Sequence, residues 1–165
     1  MGCGKSTTGK KLAGKLGYGF IDLDDYIAEK ESSTIGAIFE EKGEGYFRNL
    51  ETSCLAELAT KNDLVISTGG GTPCFNHNMD FINAAGISIY LKLSVNALYS
   101  RLANAKQERP LLAPFQGEDL KNEISSKLAE REPYYAMAHY KVKAKDIKLD
   151  LLVQFLNEEI LKLQN

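Results

Sequence analysis

Near the start of the chain, Gly2-Cys3-Gly4-Lys5-Ser6-Thr7 carries the first residues whose types and spacing could do chemistry. Gly4-Lys5-Ser6 is the closing half of the phosphate-binding pattern GxxxxGK[ST]. In that pattern glycines let backbone N–H groups close around phosphate, the lysine reaches the β and γ oxygens, and the serine hydroxyl ligates Mg2+. The alternative is a glycine-rich tail that merely spells GKST. Further on, Asp22 and Asp24 flank Leu23 at the end of an apolar run, and alternation sets both carboxylates on one side of a strand end. One carboxylate there can orient an alcohol or accept its proton, and the other can hold magnesium through water. Asp24 or Asp25 could equally cap the next helix.

Of the 20 basic residues only Arg48, Arg101, Arg109 and Arg131 are arginine, so each is a candidate for a place where a planar, bidentate donor is needed. Arg48 and Glu51 lie one helical turn apart; they read either as a surface ion pair or as a clamp for a carboxylate. Gly69-Gly70-Gly71 follows the apolar run Leu64-Val65-Ile66-Ser67. Three glycines in a row cost backbone entropy, which points to close approach of a ligand at a strand's carboxyl end, with a flexible loop as the competing view.

The elements that must position these residues alternate. Helical spacing predicts helices over 8–16, 26–30, 35–41, 45–60, 76–85, 95–102, 120–132 and 150–163. Short apolar runs predict strands over 18–23, 64–67, 87–93 and 140–144. Periodicity stops between 103 and 119, a segment of the length expected for a mobile lid carrying Arg109-Pro110-Leu111-Leu112. The alternation predicts an α/β fold: a doubly wound parallel sheet with helices on both faces, in a single domain over residues 1–165. The strand that normally leads into a phosphate-binding loop is missing ahead of Met1. The expectation is therefore that Met1 is an internal methionine and that a short apolar strand lies upstream.

Composition sets the bounds. With 165 residues, 44% hydrophobic and 25% charged, the chain is long enough to bury a full core. A net charge of −2 argues against a nucleic-acid surface, and no apolar run reaches membrane-spanning length. Three cysteines without CxxC spacing point to reduced thiols and to the cytoplasm. A monomer is expected.

Taken together, the chain resembles the shikimate kinase family along essentially its whole length. The resemblance rests on GCGKST, Asp22-x-Asp24, Phe47-Arg48-x-x-Glu51, Ser67-Thr68-Gly69-Gly70-Gly71, Arg109-Pro110-Leu111-Leu112 and Arg131-x-Pro133-x-Tyr135. It implies a P-loop kinase with a mobile lid that moves the γ-phosphoryl group of ATP to the 3-hydroxyl of shikimate, on the route to chorismate and aromatic amino acids. By the same resemblance, Gly2, Cys3, Gly4, Lys5, Ser6 and Thr7 cradle the ATP phosphates, and Ser6 with Asp22 serves Mg2+. Asp24 binds substrate hydroxyls as candidate base, within a shikimate-binding region over about 24–60. Arg48 and Arg131 grip the shikimate carboxylate, and Gly69, Gly70 and Gly71 approach the ring. Arg109 swings in with the lid, and Arg101 lies near adenine. The competing functions are a gluconate or nucleoside-monophosphate kinase, and a nucleotide-binding module without activity.

Overall fold

The computed structural model describes residues 2–103 and 114–163. Helix α1 (Lys5–Leu16) opens the chain and is followed by β1 (Gly19–Asp22), α2 (Leu23–Glu31) and α3 (Ile35–Leu58). Strand β2 (Leu64–Ser67), a single 3-10 turn (Thr72–Cys74) and α4 (Asn78–Ala85) come next. The chain then runs through β3 (Ile89–Lys92), α5 (Val95–Ala103), α6 (Gly117–Tyr135), β4 (Tyr140–Lys143) and α7 (Leu149–Leu163). Both strand pairings are parallel: Gly19 to Asp22 lie opposite Leu64 to Ser67, and Ile89 to Lys92 lie opposite Tyr140 to Lys143. Parallel neighbours require crossovers, and helices supply them: α2 and α3 between β1 and β2, α5 and α6 between β3 and β4.

Local chemistry sets several boundaries. Asp22, extended at φ −91° and ψ 123°, accepts the Asp24 N–H and caps α2, so the helix begins one residue after the strand ends. The cap is thus Asp22 rather than Asp24 or Asp25. Thr34 accepts the Ala37 N–H and starts α3. α3 contains the two helical stretches expected over 35–41 and 45–60, divided by the non-helical backbone of Gly43 (φ 78°, ψ 170°). α6 continues through Pro133 to Tyr135, past the expected stop at 132.

Three apolar clusters hold these elements. Leu23, Ile27, Ile38, Phe47, Cys54 and Leu58 join α2 and α3 to Ile21 and Ile66. Leu93, Leu98, Leu120 and Ile124 join α5 to α6 and take in Cys3 from the start of the chain. Leu12, Leu152 and Leu156 bring α1 and α7 together against Val65, Ile89 and Val142. No helix among the described residues is long and apolar enough to cross a membrane.

The sheet is divided in two. Among the described residues it forms two parallel pairs, β1 with β2 and β3 with β4, rather than one continuous sheet. A cavity of about 580 Å³ lies between them, lined by Leu64, Val65, Ile66 and Ser67 on one side and Ser88, Ile89, Tyr90 and Leu91 on the other. Consecutive strand residues point to opposite faces, so a cavity that touches all of them runs along strand edges. Its apolar walls include Leu12, Leu16, Leu152 and Leu156. Val65, Ile66, Ile89 and Leu91 stay only half-buried as a result. Neighbouring strands pair at about 4.8 Å, so one inserted strand would satisfy both edges.

Fusing about five β-branched apolar residues ahead of Met1 should therefore raise the thermal midpoint by several degrees, as about 2 kcal/mol of added burial would in a domain of this size. A Gly/Ser extension of the same length should leave it unchanged. Equal midpoints for the two fusions, in a thermal melt followed by circular dichroism, would show that the cavity does not accept a strand.

Candidate active site

The site is assembled at the carboxyl ends of β1 and β2 and at the N-terminus of α1. Gly4 precedes that helix in the left-handed region (φ 88°), a conformation a side chain would strain. No side chain caps α1 and no acid sits in its first turn. The first helical hydrogen bond runs from the Thr8 N–H to the Gly4 carbonyl at 2.9 Å. The N–H groups of Lys5, Ser6 and Thr7 therefore lie at the positive end of the helix dipole, the arrangement that binds phosphate. The loop is held from behind by α5, where Arg101 donates to the Cys3 carbonyl at 3.0 Å and Leu102 packs beside Gly2. Arg101, which the resemblance placed near adenine, thus supports the backbone of the phosphate-binding loop.

Ser6 and Asp22 meet directly, with the Ser6 hydroxyl donating to Asp22 Oδ2 at 2.5 Å. The Asp22 Oδ1 accepts the Asp24 N–H at 3.2 Å, so one carboxylate fixes both the phosphate-binding helix and the start of α2. A hydroxyl and a carboxylate at a helix N-terminus are hard oxygen donors that suit magnesium, which takes few protein ligands and completes its shell with water and phosphate. No group of three or more His, Cys, Asp or Glu gathers as a metal cage among the described residues. The donor set fits a magnesium ion that arrives with a nucleotide.

Asp24 lies two residues on, in the first turn of α2. Its carboxyl is pushed up to about 6, first by burial and then by the charges of Asp22 and Glu51, while Lys5 pulls the other way. The side chain sits against the glycine loop: a methyl group on Gly69 would stand 2.8 Å from Asp24 Oδ1 and 2.9 Å from both Glu51 Oε1 and Thr72 Oγ1. A methyl on Gly71 would stand 2.8 Å from Arg48 Nη1. These two glycines make room for the protein's own acid and guanidinium, which explains them better than flexibility does.

The Arg48–Glu51 pair is not on the surface. Arg48 is 8% exposed and Glu51 1%. The Arg48 Nη1 donates to Glu51 Oε2 at 2.5 Å, and Nε and Nη2 donate to Glu44 Oε1 at 3.1 and 2.9 Å. Its guanidinium carbon lies 4.3 Å from the centre of the Phe75 ring. Glu51 spends its other oxygen on the Thr72 hydroxyl at 2.5 Å. Arg131, on α6, lines the same cavity as Lys5, Gly69 and Gly70. Both Arg131 and Arg48 act on the thiol of Cys74, which burial otherwise pushes up. Two cations from different helices therefore converge at the end of the glycine loop.

Lys5, Ser6, Asp22, Asp24, Arg48, Gly69, Gly70, Gly71 and Arg131 are thus drawn to one region, while Arg109 and most of the expected lid lie outside the described residues. Thr72 and Glu44 were not singled out from sequence. Glu44 stands four residues before Arg48, a helical spacing that could have flagged it. Thr72 carries no local signal, because its partner is 21 residues away.

Comparison with known proteins identifies the family. The family model described as shikimate kinase matches residues 1–161. The shikimate kinase of Parabacteroides distasonis is 42% identical over 163 residues, which cover 99% of this chain and 94% of that protein. That of Bacteroides fragilis is 46% identical over 140 residues, 85% of this chain and 78% of that protein. Among solved structures, the shikimate kinase of Bacteroides thetaiotaomicron superposes with a TM-score of 0.88 at 42% identity, covering 97% of this chain and 93% of that one. The Acinetobacter baumannii enzyme in complex with shikimate gives 0.83 at 37% identity, over 98% of this chain and 89% of that one. By its sequence, its fold and the residues gathered at its helix N-terminus, the chain belongs to the shikimate kinase family.

Proposed function

We propose that this chain transfers the γ-phosphoryl group of ATP to the 3-hydroxyl of shikimate, giving shikimate 3-phosphate and ADP. The observation that carries the reading is the position of Asp24, which feels Lys5 from the phosphate-binding side and Glu51, the partner of Arg48, from the other. One carboxylate spans the two halves of a transfer reaction.

In this reading the N-terminus of α1 and Lys5 hold the β and γ phosphates. Magnesium, held by Ser6 with Asp22 close by, supplies charge neutralisation on the phosphate oxygens when bound. Arg48 and Arg131 bind the shikimate carboxylate, and the anchoring of Arg48 by Glu44 and Glu51 helps fix the ring so that its alcohol faces Asp24 and the γ phosphorus. Asp24 accepts the alcohol proton as the new O–P bond forms and the bond from the γ phosphorus to the bridging oxygen breaks, leaving ADP. Arg109 is assigned to the lid, where it would meet the transferring group. Phosphoryl transfer needs positioning and charge stabilisation more than covalent catalysis, and this set of groups supplies both. Action as a cytoplasmic monomer is part of the same proposal, since the three free cysteines suit a reducing compartment.

ADP release from Mg-ATP should depend on shikimate and not on gluconate or nucleoside monophosphates; equal stimulation by any of these acceptors would sink the assignment.

Arg48→Lys keeps the charge but loses the fork, and should raise the shikimate KM by about 10- to 100-fold, as losing one charged hydrogen bond does. The ATP KM should move less than twofold, and a matched rise in both would remove Arg48 from carboxylate recognition.

Because the Asp24 carboxyl titrates at about 6 rather than at 3.8, its base form is lost as pH falls through about 6. The kcat/KM for shikimate should show an acid limb near that value. Asp24→Asn should lose about 100-fold or more in turnover together with the limb. The sign for stability is opposite to that of an ordinary paired carboxylate: a raised folded-state pKa means that stability from this group falls as pH rises from about 4 to 6. Asp24→Asn should therefore raise the thermal midpoint at pH 7, which a denaturation series across that range would check.

A further inference from the structure

Tyr135 closes α6 one helical turn after Arg131, and its hydroxyl leaves the helix to donate to the Gly70 carbonyl at 2.5 Å. The ring is half-buried and packs against Tyr90 at 5.1 Å between centroids. Tyr90 in turn donates to Glu132 at 2.7 Å, and Glu132 also pairs with Lys92. The end of α6 is thus pinned to β3 at two neighbouring positions, and Tyr135 extends that anchorage to the glycine loop. Burial pushes the Tyr135 hydroxyl up to about 12, so it stays a donor across the working pH range.

The loop has a second fastening at its other end. Thr72 is tied to Glu51, and the Thr72 carbonyl accepts from Asn78 at 2.9 Å. Between these ties lies the peptide unit that joins Gly70 to Gly71. It is planar, so its carbonyl and its N–H point in opposite directions and cannot be turned separately. Holding the Gly70 carbonyl toward Tyr135 therefore directs the Gly71 N–H away from it. It also fixes the Gly71 backbone against the guanidinium of Arg48, where no side chain would fit.

We propose that Tyr135 is a positioning residue: its hydroxyl latches the Gly69–Gly71 loop to α6, and so sets the register between Arg131 on that helix and Arg48 beside the loop. The substrate part rests on the reading of those arginines as a carboxylate clamp. A carboxylate held by two forks from separate elements binds well only if the elements keep their spacing, and a single hydroxyl bridging them supplies that constraint. The latch acts on acceptor binding and leaves the nucleotide side alone, because α1 and its loop are held by α5 and Asp22.

Tyr135→Phe removes the hydroxyl and keeps the ring. It should speed amide hydrogen exchange in a peptide spanning 67–74 by about tenfold or more, while exchange in α1 stays as in the parent chain. The shikimate KM should rise about five- to tenfold, with the ATP KM within twofold. Tyr90→Phe breaks the neighbouring contact to Glu132 without touching the loop, and should leave both exchange at 67–74 and the shikimate KM within twofold. Unchanged exchange in Tyr135→Phe would overturn the latch whatever the substrate proves to be. Faster exchange with an unchanged shikimate KM would overturn its link to the clamp. If the parent chain showed no response to shikimate, the functional reading would fail separately, and the exchange experiment would still decide the latch.

Discussion

Glu51 is the group on which the rest of the site depends. A carboxylate 1% exposed is costly unless every lone pair is used, and this one gives one oxygen to Arg48 and the other to Thr72. The first bond orients a guanidinium that would otherwise sweep through many rotamers. The second fixes the turn that follows the glycine loop. Removing Glu51 would leave Arg48 buried against three aromatic rings with only the exposed Glu44 to neutralise it. The surrounding negative charge also reaches Asp24, so the same residue that organises the acceptor side helps to hold the proposed base near neutrality.

Parts of this arrangement were readable in the sequence because they are local. GKST announces a loop and a helix N-terminus together, and the Asp22-x-Asp24 spacing flagged two acids that stay close, although Asp22 ends β1 and Asp24 lies in the first turn of α2 rather than on the strand. The helical stripes gave the α-helices of the described residues, and Gly43 breaks the run between 35–41 and 45–60 as expected. Boundaries shifted where Asp22 starts α2 earlier and where α6 runs on through Pro133 to Tyr135.

What escaped the sequence is non-local. An (i, i+3) Arg–Glu pair looks the same on a surface as in a core, and only the packing of Phe39, Phe47 and Phe75 around Arg48 tells them apart. The walls of the gap between β2 and β3 include helices far apart in the sequence, α1 and α7. The glycines were expected to let a ligand approach, and the groups that the structure brings against Gly69 and Gly71 are the protein's own Asp24, Glu51, Thr72 and Arg48.

The crowding at Gly69 and Gly71 has a mutational side. Every amino-acid replacement reachable from a glycine codon by one base change brings a Cβ, and at these two positions that atom meets a carboxylate, a hydroxyl or a guanidinium at under 3.0 Å. Gly14 and Gly86, by contrast, have nothing within 4 Å of the same atom. A side chain at Gly69 or Gly71 would have to displace the Asp24, Glu51, Thr72 and Arg48 groups that build the site, whereas one at Gly14 or Gly86 would displace nothing.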